Sequence, residues 1–331
     1  MKKIFALLLA LTFTLLIAAA CTQNQETNTG SQNNPDYGAQ DNSTPNNSPP
    51  SNGTQSNTSP NNETQASPNS AAAPVSDFNT NSIIAVYTRE DGSGTRDAFV
   101  SITGVGGDMY VEAIVNNQTD QILTNVEMNQ YAIGYVSVGS LNPNVKALEI
   151  NGIKPSNETI INGTYTLQRP LLVCMNAENE RSALVRDFID FMLSAEGQSI
   201  AATKWTSIIS GAPNYTSGGL SGTLKVGGST SVEPLMQALS QAYKVHNPSV
   251  VIEISGGGSG TGISEATSGV LDIGMSSRAL RDNEKDALTG VDIALDGVAV
   301  IVNPANPVTG MTIEQIKDIF TGETTRWNMV S

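Results

Sequence analysis

The chain has 331 residues, with 31 acidic against 17 basic side chains, one histidine and two cysteines, for a formal charge of −14. That balance argues against nucleic acid and against adhesion to acidic lipid surfaces. It leaves a small anion possible, because charges beyond about 8 Å are screened at physiological salt and nearby donors then decide binding.

Residues 1–21, MKKIFALLLALTFTLLIAAAC, have two lysines, an apolar run and three alanines before a cysteine. A basic start, apolar middle and small-residue end form a secretory signal. The apolar run is shorter than the roughly 20 residues of a membrane span. Ala18-Ala19-Ala20-Cys21 resembles a prokaryotic lipoprotein cleavage box, with Ala18 where leucine is more usual, so Cys21 is the expected lipid attachment. Residues 22–80 are almost all Asn, Ser, Thr, Gln, Pro and Gly. They hold too little apolar surface to offset the entropy of ordering and read as a disordered tether. Asn52-Gly53-Thr54, Asn57-Thr58-Ser59 and Asn62-Glu63-Thr64 fit the N-glycosylation pattern, which such a tract also makes by chance. With Cys21 lipidated, Cys174 has no disulfide partner; it lies in the apolar run 171–175 and reads as a small buried residue.

The remaining roughly 250 residues suffice for a large core. Strands are expected over 83–88, 131–138, 145–150 and 171–175, with a short helix from Ser93 through Phe99. One helix is expected over 184–200, with Leu184, Phe188 and Met192 on one face and Val185, Ile189 and Leu193 beside them. Residues 209–221 are a Gly/Ser-rich linker. A second series follows: strands over 224–226, 250–254, 270–275 and 291–302, and helices over 231–245, 262–267 and 312–320. Pro234 falls in a first turn, and Thr312 with Gln315 fits a capping box. Alternating strands and helices imply an α/β fold with largely parallel sheets.

Three segments repeat one design of strand, Gly-rich turn with Ser or Thr, then helix. They are Gly227-Gly228-Ser229-Thr230-Ser231, Gly256-Gly257-Gly258-Ser259-Gly260-Thr261-Gly262 and Asp91-Gly92-Ser93-Gly94-Thr95. Glycine lets backbone approach a ligand, and the first helical N–H groups lack partners and sit at the positive dipole end. Each turn is a candidate anion site, although most Ser or Thr at such positions only cap helices. Arg89, four residues before Ser93, is a planar donor matched to an oxyanion; its structural alternative is a pair with Glu90 or Asp91. Ser276-Ser277-Arg278, at a strand end, is a fourth candidate edge. No turn continues into Gly-Lys-Ser/Thr, and Thr261 stands where a dinucleotide fingerprint needs its third glycine. His246, the only histidine, ends a helix and is expected in solvent. No Cys/His cluster suits zinc and no histidine-based triad has local support.

The motif REDGSGTR (89–96), with GTLKVGGSTSVEPLM (222–236), ISGGGSGTGISEA (254–266), DIGMSSRAL (272–280), AIGYVSVGSL (132–141) and TIEQIKDIFTGETTRWN (312–328), resembles the phosphate-binding lipoproteins of phosphate ATP-binding-cassette importers. The likeness spans nearly all of 82–331, in exchanged order: the segment at 222–331 comes first in that family and the one at 82–208 second. The chain therefore reads as a circular permutation, with 209–221 joining the old termini and new ends opened in a surface loop.

The resemblance implies a two-lobed periplasmic-binding-protein fold of type II, with a hinge and a central cleft. One lobe would hold 222–295 with about 173–208, the other about 82–170 with 303–331, and the chain would cross near 296–302 and 169–174. Carried over by position, the phosphate contacts fall on Arg89, Ser93, Gly94, Thr95, Thr230, Ser231, Ser259 and Ser277, with Asp91 holding Arg89. Some members of that family have aspartate where Ser277 stands, to accept the proton of hydrogen phosphate; serine can accept as well as donate. The implied protein is a non-enzymatic receptor needing no cofactor or metal, a monomer held outside the cell membrane by lipid. It would capture inorganic phosphate for a membrane permease. The alternative is a surface-displayed or signalling oxyanion-binding protein not coupled to transport. A phosphate-ester hydrolase would need a metal or nucleophile site that the sequence does not offer.

Overall fold

A computed structural model of the protein describes residues 78–330. The signal segment, Cys21, the glycosylation triplets and all but the last residues of the tether lie outside the described residues. The fold already includes Phe78, whose ring packs at 5.1 Å on Tyr131 and 5.9 Å on Trp327.

The first stretch builds strand β1 (Ala85–Arg89), helix α1 (Gly94–Thr103), β2 (Ile114–Asn116), α2 (Thr119–Met128) and β3 (Ala132–Ser137). Ser93 caps α1, and Gly104, in the left-handed region, ends it. The strand expected over 145–150 is two short strands, β4 (Lys146–Ala147) and β5 (Glu149–Ile150). Between them Leu148 donates its N–H to Val300 O at 2.9 Å, leaving β4 on one sheet and β5 on another. Then come α3 (Asn157–Ile161), opened by a Ser156/Thr159 capping box, and β6 (Gln168–Met175).

The single helix expected over 184–200 is two, α4 (Ala183–Met192) and α5 (Ala195–Ala201). The cause is Ser194, which leaves helical geometry and accepts the N–H of Gly197 at 3.2 Å, so a cap replaces continuation. After the linker follow β7 (Gly222–Gly228), α6 (Glu233–His246), β8 (Val250–Gly256), α7 (Ser259–Ser268), β9 (Ile273–Ser276), α8 (Asp282–Lys285) and the long β10 (Thr289–Val302). The chain closes with β11 (Gly310–Met311), which pairs with β5, and α9 (Ile313–Thr321), whose Thr312/Gln315 capping box is present.

Among the described residues, nine strands form one sheet in the order β2-β1-β3-β10-β6-β9-β7-β8, with β4 also on β10. The sheet is mixed rather than largely parallel. β1 with β2 and β3, and β7 with β8 and β9, are parallel, but β6 and β10 run antiparallel to their neighbours. These two strands carry the chain between lobes in opposite directions, β6 running against β9 of the second lobe and β10 against β3 of the first. The apolar core divides accordingly. One half holds Val173, Phe188, Val226, Leu235 and Ile273; the other holds Val86, Phe99, Tyr135, Val300 and Phe320. The division falls between Leu167 and Leu171 and between Ala294 and Val298, overlapping the expected crossings at 169–174 and 296–302. Arg169 and Asp296 stand in register there and pair through two bonds, at 3.1 and 2.9 Å, while Ser137 Oγ donates to the other oxygen of Asp296 at 2.9 Å. All three are buried.

Residues 209–221 form no helix or strand, yet the segment is docked. Pro213 O accepts the N–H of Ala195 at 2.7 Å. Tyr215 donates to Asp187 Oδ2 at 2.6 Å and accepts from Asn247 Nδ2 at 2.7 Å, with its ring edge-on to Phe191.

Candidate functional site

Parallel strands deliver their C-terminal ends to one place. β1 ends at Arg89 and leads into the cap of α1. β7 ends at Gly228 and leads through Ser229-Thr230-Ser231 into α6. β8 ends at Gly256 before α7, and β9 ends at Ser276. Gly228 is required here: its φ is 130°, and a Cβ would lie 2.9 Å from Gly262 Cα.

The predicted residues meet across the cleft. Arg89 Nη2, from the first lobe, donates to Thr230 Oγ1 of the second at 3.0 Å. Thr95 Oγ1 and Ser231 Oγ are 2.8 Å apart. Ser277 N donates to Ser259 Oγ at 3.1 Å, and the two hydroxyls are 3.4 Å apart. Gly94 faces both: a Cβ there would lie 2.7 Å from Ser277 Oγ and 3.1 Å from Ser259 Cβ. Ser93 is buried, and its hydroxyl accepts from Arg96 N at 3.4 Å, within its own helix. Arg89, Thr95, Thr230, Ser231, Ser259 and Ser277 are each no more than 5% exposed.

One expectation changes. Asp91 does not hold Arg89; its side chain is 96% exposed and pairs with Arg96. The partner of Arg89 is Glu90, which takes Nε and Nη2 on its two oxygens, both at 2.8 Å. The reason is direction. The Arg89 side chain turns inward to the cleft, Glu90 lies along its edge, and Asp91 points outward from the turn that follows. Arg89 thus enters the site with its charge matched by a carboxylate 20% exposed.

Three further groups stand in the site that are not among the expected phosphate contacts. Thr119, in the first turn of α2, accepts from Arg89 Nη1 at 3.3 Å and lies 3.2 Å from Thr230 Oγ1. Ser229 Oγ donates to Ser277 Oγ at 2.9 Å. The Tyr135 hydroxyl lies 2.7 Å from Thr88 Oγ1 and accepts from Arg89 N at 3.2 Å. Burial holds the Tyr135 phenol above its ordinary range, so it stays protonated. A cavity of about 200 Å³ opens beside Thr119 and Thr230, lined also by Gln118, Asp120, Glu233 and Gln237. His246 is remote from all of this, exposed and 2.8 Å from Glu196. Hydroxyls, amides at helix starts and one guanidinium offer donors to an oxyanion, without an activated nucleophile among them.

The PBP superfamily domain matches residues 62–196 and 213–330. Phosphate-binding protein PstS 2 of Streptococcus pneumoniae serotype 4 is 42% identical over 274 residues, 80% of this chain and 93% of the relative. PstS 2 of Streptococcus agalactiae serotype V is 38% identical over 266 residues, 77% of this chain and 90% of the relative. A crystal structure of a phosphate ABC transporter phosphate-binding protein from S. pneumoniae TIGR4 superposes with a TM-score of 0.63 at 42% identity, covering 76% of this chain and all of that one. With a two-lobed fold hinged on β6 and β10 and relatives matched over nearly their whole length, the chain belongs to the PBP superfamily and, within it, to the PstS family.

Proposed function

We propose that this protein is an extracytoplasmic receptor that takes inorganic phosphate into the cleft between its lobes and presents it to the permease of an ABC importer, without acting on it chemically. The observation that carries this reading is the meeting of Arg89 with Thr230, Thr95 with Ser231, and Gly94 with Ser259 and Ser277, donors from both lobes that are all buried. The printed names of the relatives support the choice of ligand. In this reading Arg89, Ser93, Gly94, Thr95, Thr230, Ser231, Ser259 and Ser277 surround the anion. Hydroxyls and helix-start amides donate to its oxygens, and Ser277, whose oxygen accepts from Ser229 with one lone pair, offers the other as acceptor to the O–H of hydrogen phosphate. Glu90 offsets the Arg89 charge, so local dipoles contribute most of the attraction.

Cys21 is the proposed lipid anchor and residues 22–77 the tether of a monomer. No helix among the described residues is long and apolar enough to cross a membrane. The chain order is proposed as a circular permutation, with 82–208 and 222–331 as its two parts and 209–221 as the join. Two observations support it. The match to PstS 2 covers 80% of the chain and 93% of that relative, so the two parts together amount to nearly one complete relative. The ends of the fold also lie together, with Ile84 N donating to Thr325 O at 2.9 Å and Asn328 N to Thr80 O at 2.7 Å.

Calorimetric titration of the purified chain with phosphate, with sulfate as competitor and Arg89→Ala as control, tests the reading. Tight binding that sulfate does not displace and that the variant loses supports it. A folded chain that binds no phosphate overturns it.

A further inference from the structure

One charged contact spans the cleft outside the hydroxyl cluster. Asp97, on the first turn of α1, belongs to the first lobe. Its Oδ2 lies 2.8 Å from Arg281 Nη2 and 2.9 Å from Arg278 Nε, both of the second lobe. Arg278 directly follows Ser277 and is braced from behind by Glu284, at 2.7 and 2.8 Å. The carboxylate thus stands two residues from Thr95, and the guanidinium one residue from Ser277. The pair ties together the two segments that close on the ligand from opposite sides. It stands nearer the solvent than the hydroxyls do: the Asp97 side chain is 25% exposed and Arg281 60%. Arg278 Nε is buried, with Asp97 close to it but off the N–H direction, so this contact is an ion pair without an aligned hydrogen bond.

Among the described residues, the other bonds between the lobes lie within the cluster, join backbone to backbone, like Gly260 N to Gly92 O at 2.8 Å, or stand beside the hinge strands, like Thr206 Oγ1 to Asn157 Oδ1 at 3.4 Å. A carboxylate that touches two guanidiniums only while the lobes are together favours the closed state over the open one. Such a bias changes ligand affinity without any contact to ligand.

We infer that Asp97 is a positioning residue that latches the lobes and sets how long the cleft retains its anion. The retention part of this inference rests on the reading of the cleft as a phosphate site; the latching part does not. Asp97 also sits where a carboxylate favours a helix start, so its local and cross-cleft roles must be separated.

The test uses the full chain with Asp97→Asn, Arg281→Ala and the double variant. Amide hydrogen exchange of the peptide spanning Gly260, measured without ligand, reports closure directly. Release of radiolabelled phosphate after dilution reports retention. Asp97→Asn is expected to quicken both by about tenfold, as for a partly desolvated pair, with the association rate and the ligand-free melting temperature nearly unchanged. Arg281→Ala should do the same more weakly and add little to Asp97→Asn, because the two share one interaction. Raising ionic strength should speed release from the wild-type chain and leave Asp97→Asn almost unaffected. Wild-type exchange at Gly260 in Asp97→Asn overturns the latch, as does a lowered melting temperature with unchanged release. If the wild-type chain binds no phosphate, the functional proposal fails while the exchange measurement still decides the latch.

Discussion

Gly94 offers a substitution that separates closure of the cleft from stability of the lobes. It is the first residue of α1 and buried, with φ outside the left-handed region, so alanine fits its backbone. The obstacle is on the other lobe: an added Cβ would lie 2.7 Å from Ser277 Oγ and 3.1 Å from Ser259 Cβ, and nearer still to Ser259 Oγ. Ordinary contact begins at 3.4 Å, so the Ser277 hydroxyl must retreat by about 0.7 Å (3.4 − 2.7). Rotating both serines away relieves the oxygens but not the Ser259 Cβ, and it withdraws two of the proposed donors. Opening the lobes relieves everything and withdraws Thr230 and Ser231 too. Hydrogen bonds to a charged group contribute about 1.5–3 kcal/mol each. Losing two of the four second-lobe hydroxyls therefore costs about 3–6 kcal/mol, a factor of about 100 to 10,000 in Kd. Ligand-free stability should move the other way, by up to about 0.5–1 kcal/mol, since alanine favours helix over glycine. Calorimetry with phosphate and a thermal melt without it measure the two effects. An unchanged Kd in a normally folded Gly94→Ala chain would refute the account of the closed site.

Two further outcomes follow from charges outside the cleft. Asp296→Ala leaves the buried Arg169 guanidinium uncompensated, which costs about 3–5 kcal/mol and lowers the melting temperature by about 10 °C; replacing Arg169 and Asp296 together with Met and Leu should recover most of it. Glu284 is held below its ordinary carboxyl range, chiefly by its hydrogen bonds from Arg278. A depressed folded value stabilises the fold above the ordinary value and loses that effect as pH falls through the folded one. The melting temperature of wild type should therefore exceed that of Glu284→Gln at pH 7, and the gap should shrink as pH drops below 4.5.

The sequence revealed elements that carry strong local signals and hid those governed by contacts between distant residues. Ser93 and the Thr312/Gln315 box announced their helices, and both are present. α2 offered no such start: Gln118 at its cap makes no side-chain bond, so the helix passed unnoticed and Thr119 with it. The break between α4 and α5 turns on Ser194, whose capping role becomes visible only when Gly197 is seen packed against the end of α4. Asp91 was assigned to Arg89 by resemblance, while Glu90 lay one residue nearer; which of two adjacent carboxylates faces inward depends on the turn and not on spacing. Arg169 and Asp296 are 127 positions apart in apolar strands, and nothing local marks them as partners.

The proposed exchange of chain order can leave the site intact because both altered places lie at the far ends of the elements that build it. The join is fastened by Tyr215 to Asn247, just beyond the C-terminal end of α6. That helix starts at the site, and its 14 residues extend about 21 Å. At the other cut, Ile83 bridges to Arg326 six residues before Arg89, about 20 Å along an extended strand. The site itself depends on which strand ends converge and on the amides and hydroxyls they carry there. Strand pairing and helix packing fix that convergence, and neither depends on which of the two parts is made first. What the join must do is keep the ends of one lobe together, and the docking contacts of Pro213 and Tyr215 offset the entropy lost in ordering it.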